Sequence, residues 1–106
     1  MTHLPDIYKG VADRYPDVHR ALEALGAACY AAGPLDDRTA RLIKLGIAIG
    51  AQADGAVRSH ARRALTEGIG ADEIRQVALL ALTTGGFPTT VAGLGWIEEV
   101  LAAETE

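Results

Sequence analysis

His60 is the residue of this chain whose surroundings suit chemistry best. It shares one face of a helical segment with Ala53, Ala56, Val57, Ala61 and Ala64, so its ring points towards the interior. A partly buried imidazole serves as a general base or as a hydrogen-bond anchor near neutral pH. The plainer alternative is a core histidine satisfied by a backbone or side-chain partner. Asp54 and Arg58 lie four apart on the same segment and can pair. Asp54 also stands at the segment's N-terminus, where negative charge is favoured. The two either cap the helix and form a surface ion pair, or line the mouth of a pocket that ends at His60. In the second case Arg58 would hold a carboxylate. Arg41 enters an almost wholly apolar segment. Buried there, it requires Glu73, Asp54 or an anionic ligand as a partner; on an exposed first turn it is a solvated charge. These residues together point to a small organic acid as ligand.

Other features fit plainer roles. Cys29 is the single cysteine, which excludes an internal disulfide, a Cys-rich metal site and a dithiol pair within one chain. It falls on the apolar face of its segment, where low reactivity is expected. Gly85-Gly86-Phe87-Pro88 follows no strand and precedes no suitably spaced Lys, so it is no phosphate loop. A tight turn explains it, with Phe87 as a core plug or pocket wall. Trp96 shares a face with Ala92 and Val100 and suits a subunit contact better than ligand stacking. His3, His19 and His60 are scattered without metal-ligand spacing, so neither metal nor cofactor is expected. Arg58, Arg62 and Arg63 lack interleaved aromatics, and the net charge is −4. A solvated helix face is expected there, not a nucleic-acid surface.

The elements that must position these residues are helices. With 106 residues the chain fits one domain, residues 1–106. Twenty alanines, 12 glycines and only 5% aromatics favour small, closely packed helices over a sheet. Periodicity and turn signals give an all-α fold of about six helices: about 5–14, 16–32, 36–52, 54–67, 72–84 and 88–103. The second should carry Val18, Leu22, Leu25, Ala28 and Cys29 as its apolar stripe. The sixth should carry Val91, Leu94, Ile97, Val100 and Leu101. Residues 77–97 carry no charge, but Gly85 to Pro88 break the run into two buried helices rather than one membrane span. The N-terminus shows no basic stretch before an apolar run, so a cytoplasmic location is expected. The third and fifth helices are apolar on almost every side. Part of each is therefore expected to be buried against other copies of the chain.

The run from Arg41 to His60, RLIKLGIAIGAQADGAVRSH, its continuation to Val77 through Gly70-Ala71-Asp72-Glu73-Ile74, and then Gly86-Phe87-Pro88 carry a resemblance. They look like the carboxymuconolactone decarboxylase and alkylhydroperoxidase D family, over roughly residues 16–103. The resemblance implies the helical fold and a homo-oligomer, a trimer or hexamer. In the redox-active members a helix carries Cys-x-x-Cys, a His follows four residues after the second Cys, and a Glu one helix earlier joins a proton relay. Laid on this chain, that pattern puts His60 at the His position, Ala53 and Ala56 at the two Cys positions, and Arg41 at the Glu position. Peroxide reduction by that route needs a thiolate and a resolving thiol, and alanine supplies neither.

Three functions follow as expectations. The first is a small-organic-acid site, with His60 as base or anchor and Arg41, Asp54, Arg58 or Phe87 around it. Any turnover there would be redox-independent, of lyase or isomerase type. The second is a non-catalytic assembly protein. The third is a peroxidase, by family likeness or through Cys29 alone.

Overall fold

The structure, a computed structural model, describes residues 6–104. Among them the regular elements are helical: α1 Asp6–Arg14, α2 Pro16–Ala31, α3 Asp37–Gly50, α4 Asp54–Thr66, α5 Ala71–Leu80 and α6 Phe87–Glu104, with a 3-10 turn at Ala81–Thr83. The all-α reading of about six helices holds. The expected start of α1 at Pro5 lies outside the described residues, and the fifth helix tightens into the 3-10 turn before Thr84. None of the described helices is long and apolar enough to cross a membrane.

The chain divides into two compact units, Met1–Asp36 and Asp37–Glu106. In the first, α2 follows α1 after the single residue Tyr15, whose N–H reaches Val11 C=O at 2.8 Å and whose C=O accepts the His19 N–H at 3.0 Å. Pro16 opens α2, where its missing N–H would have had no helical partner. The stripe expected on α2 is a face without a cover. Val18, Leu22 and Leu25 are exposed, no α2 residue is buried, and Cys29 is exposed too. The first unit holds no further helix to close over such a stripe.

In the second unit, α3 and α6 each pack against α4 and α5 and against one another. The core is aliphatic and small, as the composition implies: Leu45 and Ile49 of α3, Val57 and Ala61 of α4, Ile74 and Ala78 of α5, and Ile97 of α6 are fully buried. The α6 stripe is buried as expected at Ile97, Val100 and Leu101, with Leu94 packed against the core, and departs at its first turn. Val91 is exposed, while Thr89 and Thr90 are buried. The Thr90 hydroxyl donates to the carbonyl of Ala78 at 2.9 Å, which satisfies a polar group inside an apolar contact. With those threonines filling the space at the head of α6, Phe87 is left 67% exposed. It is not a core plug.

Two matched helix ends set the register of α3, α4 and α5. After α3, Ala53 N–H reaches Ala48 C=O and Gln52 N–H reaches Ile49 C=O, both at 3.0 Å. After α4, Ile69 N–H reaches Ala64 C=O at 2.9 Å and Gly68 N–H reaches Leu65 C=O at 3.1 Å. Both are Schellman closures, which need a left-handed residue at the stop. Gly68 supplies it with φ +87°, and Gln52 supplies it with φ +53°. Gln52 is also tied across to α6, its Nε2 donating to Thr89 Oγ1 at 3.3 Å.

The crossing of α3 and α6 depends on Gly93. A Cβ there would lie 2.9 Å from Ile49 Cγ2 and 3.3 Å from Ile49 Cγ1, whereas Gly95 of the same helix faces open space. Overpacking costs about 1–3 kcal/mol, against a helix-propensity gain of about 1 kcal/mol for Gly to Ala. Gly93→Ala should therefore lower the melting temperature by several degrees, since about 1 kcal/mol moves a domain of this size by roughly 4–8 °C. Gly95→Ala should leave it unchanged or raise it. Thermal unfolding by circular dichroism checks the pair, and equal behaviour of the two would contradict the close approach.

Candidate functional site

The α3–α4 turn folds the two helices back on each other, which brings the first half of α3 beside the second half of α4. Arg41, on the buried face of α3, meets His60 and Glu67 there. Arg41 is only 5% exposed, so its side chain is inside the unit and not on a solvated first turn. Its Nε donates to Glu67 Oε1 at 3.0 Å and its Nη2 to Glu67 Oε2 at 2.9 Å. This is a bidentate fork, the geometry that makes an Arg–carboxylate pair strong. Its Nη1 reaches His60 Nδ1 at 2.8 Å.

Glu67 is the partner that sequence reasoning missed. Glu73 instead pairs with Arg38 and accepts the Gly70 N–H at 3.2 Å, closing the start of α5. Asp54 is engaged by Arg58. Two signals pointed to Glu67. It lies seven residues after His60, two helical turns on, and so on the same face. It is also an acid at the C-terminal cap of α4, the end where the helix dipole disfavours negative charge. The hydrogen bonds from Arg41 hold its carboxyl below the usual range, and the charge of Arg41 and Arg63 adds to this.

The Arg41 contact fixes the state of His60. A guanidinium only donates, so Nδ1 must accept, and a neutral imidazole then carries its proton on Nε2. Burial is the largest influence in the same direction, followed by the positive charges of Arg41, Lys44 and Arg63, with Glu67 opposing. Together they lower the His60 pKa from 6.5 to about 4. Near neutral pH the ring therefore presents an N–H donor at Nε2 and has no free lone pair.

The other expected site residues lie elsewhere. Arg58 donates to Asp54 at 3.0 Å and to Glu99 of α6 at 2.9 Å. Positions 58 and 60 point about 200° apart on a helix, so the Asp54–Arg58–Glu99 cluster faces α6 and does not join His60. As a largely exposed cluster it contributes little to stability. Ala53 is the N-terminal cap of α4, and Ala56 lies half-buried in its first turn. Phe87 is exposed at the head of α6. A separate groove of about 510 Å³ runs between α3 and α5, bordered by Leu42, Ile43, Gly46, Gln76, Val77 and Leu80, and His60 is not part of its lining. Among the described residues no group of three or more His, Cys, Asp or Glu side chains is placed to hold a metal ion.

Residues 16–99 match the carboxymuconolactone decarboxylase family. The chain belongs to that family. As a carboxymuconolactone decarboxylase family protein it is 28% identical over 93 residues to the uncharacterized protein MJ0742 of Methanocaldococcus jannaschii, covering 87% of this chain and 89% of that one. Its fold matches the crystal structure of TM1620 from Thermotoga maritima with a TM-score of 0.68 at 27% identity, over 94% of this chain and 90% of the other. A second crystal structure of TM1620 matches with a TM-score of 0.66 at 27% identity, over 94% and 87%. That structure is described as a carboxymuconolactone decarboxylase family protein with a suggested part in an antioxidative response. Beside Arg41, the carboxylate comes from Glu67 at the end of α4.

The His60 environment sets a pH dependence. Its folded pKa of about 4 lies below its unfolded value of 6.5, so the unfolded chain takes up the proton first. Stability should fall as pH drops from about 6.5 towards about 4. The Glu67 contribution runs lower: it is present above the ordinary value of 4.5 and is lost as the carboxyl protonates below it. His60→Asn keeps an acceptor for Arg41 but cannot titrate. Thermal unfolding between pH 7.5 and 5 should therefore show a shallower pH slope for the variant than for the natural chain. Parallel slopes would contradict the depressed His60 pKa.

Proposed function

We propose that this protein binds a small organic acid at His60 and works without a dithiol. The observation that carries the reading is the 2.8 Å contact between Arg41 Nη1 and His60 Nδ1, which leaves Nε2–H as a donor of fixed direction. A carboxylate is the natural acceptor. The charge of Arg41 is balanced by Glu67, while Lys44 and Arg63 add positive potential around the ring. The geometry favours an anchoring role for His60 over a basic one, because neither ring nitrogen offers a free lone pair. Where turnover occurs, a neutral imidazole N–H can polarise a carbonyl or stabilise charge that develops on oxygen. That suits a redox-independent lyase or isomerase step. Arg58 has no part in this reading, since Asp54 and Glu99 occupy it.

A dithiol peroxidase is disfavoured by Ala53 and Ala56, which offer neither the attacking thiolate nor the resolving thiol. Cys29 is exposed, but it sits on α2 without a second thiol in the chain.

A second reading, compatible with the first, is assembly. Ile47 of α3 is 65% exposed and Leu80 of α5 is 64% exposed, with Ile43 and Leu79 beside them. Apolar surface of this kind fits a contact between copies of the chain, as a trimer or hexamer.

Two measurements check these readings. Isothermal titration with succinate and adipate should show binding at millimolar concentration or tighter. His60→Ala should weaken it roughly 10- to 100-fold, the loss expected for one hydrogen bond to a charged group of about 1.5–3 kcal/mol. Unchanged binding in a folded His60→Ala variant would remove His60 from the site. Native mass spectrometry of protein purified without denaturation reads the assembly mass and any retained adduct together. A defined oligomer is expected, and a monomer at micromolar concentration would count against assembly.

A further inference from the structure

We infer that Glu67 is a positioning residue: through Arg41 it decides which nitrogen of His60 carries the proton, and so whether the site offers a donor or an acceptor. The inference deepens the reading above and rests on it in taking His60 as the ligand's anchor.

The argument begins with the guanidinium plane. Glu67 takes the hydrogens of Nε and Nη2 at 3.0 and 2.9 Å, two near-parallel bonds that fix the plane of the fork. With the plane fixed, Nη1 is directed at His60 Nδ1. One bond alone would leave the guanidinium free to turn about its long side chain. The two bonds of the fork turn a flexible cation into a fixed donor, and the fixed donor selects the Nε2–H tautomer. Glu67 does this from a place where a carboxylate serves the helix poorly, the C-terminal cap of α4. Its side chain is 41% exposed, whereas that of Arg41 is 7% exposed. The acid thus reaches inward from the surface, and the surface end of the pair sets the state of the interior ring.

Without Glu67, Arg41 loses both bonds of the fork and keeps a buried charge with less to balance it. Nη1 is no longer held on Nδ1. The ring is then free to populate the Nδ1–H form, in which Nε2 accepts. An anchor that donated to a carboxylate becomes one that repels it.

The experiment uses the full chain with ¹⁵N-labelled histidine and reads the His60 ring nitrogens by long-range proton–nitrogen correlation at pH 7. The natural chain should show a protonated Nε2 and a bare Nδ1. Glu67→Ala should show a mixture of tautomers or a switch to Nδ1–H, and its succinate binding should fall roughly tenfold. Glu67→Gln keeps one acceptor oxygen and should lie between the two. Should Glu67→Ala fail to fold by circular dichroism, Glu67→Asp, one methylene shorter, carries the same expectation of a disturbed tautomer. An Nδ1–H ring in the natural chain would overturn the inference. So would a folded Glu67→Ala or Glu67→Asp chain with the natural tautomer. A purely structural clamp would change stability and leave the nitrogen pattern intact. A natural chain with Nε2–H and the expected tautomer response, but no binding of succinate or adipate, would sink the proposed function and leave this inference standing.

Discussion

A guanidinium buried in an aliphatic unit is the constraint on which the arrangement of the site depends. Arg41 cannot lose its proton, and an unpaired buried charge would cost several kcal/mol. Among the groups that meet that demand are the carboxylate of Glu67, at the end of α4, and the imidazole of His60, in α4. Each of those groups is changed in turn. Glu67 is held ionised at a helix end that would otherwise repel it. His60 is held neutral, with its proton on the nitrogen away from Arg41. Breaking any one of these contacts leaves the other two groups in states that their surroundings no longer support.

That triad exists only because α3 and α4 are locked in register. The Schellman closure at Gln52 ends α3 and turns the chain so that Arg41 faces the last two turns of α4. The left-handed conformation there is uncommon for a residue with a side chain, and the bond to Thr89 ties it to α6. Small residues serve the same end. Gly93 lets α6 approach α3 against Ile49, and the alanines of α4 let it lie close to its neighbours. A bulkier core would separate the helices and lengthen the contacts that Arg41 makes across them.

Much of the fold was legible in the sequence because its signals are local. Proline and acidic residues mark helix starts, glycine marks stops, and aliphatic residues recur at helical spacing. The start of α2 and the bounds of α3 and α4 follow from these within a residue or two. His60 was legible from its place on an apolar face. The partner of Arg41 was not, because Glu67 lies 26 residues on, at the end of another helix, and by sequence alone Glu73, Asp54 or an anionic ligand suited the role. Phe87 departs from its expected place for a related reason. Hydropathy ranks phenylalanine inside and threonine outside, but a threonine that can donate to the Ala78 carbonyl is buried at little penalty. The α2 stripe was legible as a stripe; what covers it is not encoded in its own period.

Set against the redox-active pattern that the sequence resembles, Arg41, Ala53, Ala56 and His60 read as a group. In that pattern, thiols need a group that takes a proton, and a carboxylate near the histidine supports that role. Laid on this chain as the resemblance implies, that pattern puts Ala53 and Ala56 at the thiol positions and Arg41 at the position of the acid. An arginine beside an imidazole does the reverse of an acid: it lowers the affinity of the ring for a proton and occupies the lone pair that would take one. An imidazole so placed is of little use to proton abstraction. A neutral ring with one N–H held in place is what the proposed reading requires, at a pH where a solvent-exposed histidine would be partly charged. Glu67, at the end of α4, balances the charge of Arg41 without offering the ring an acceptor.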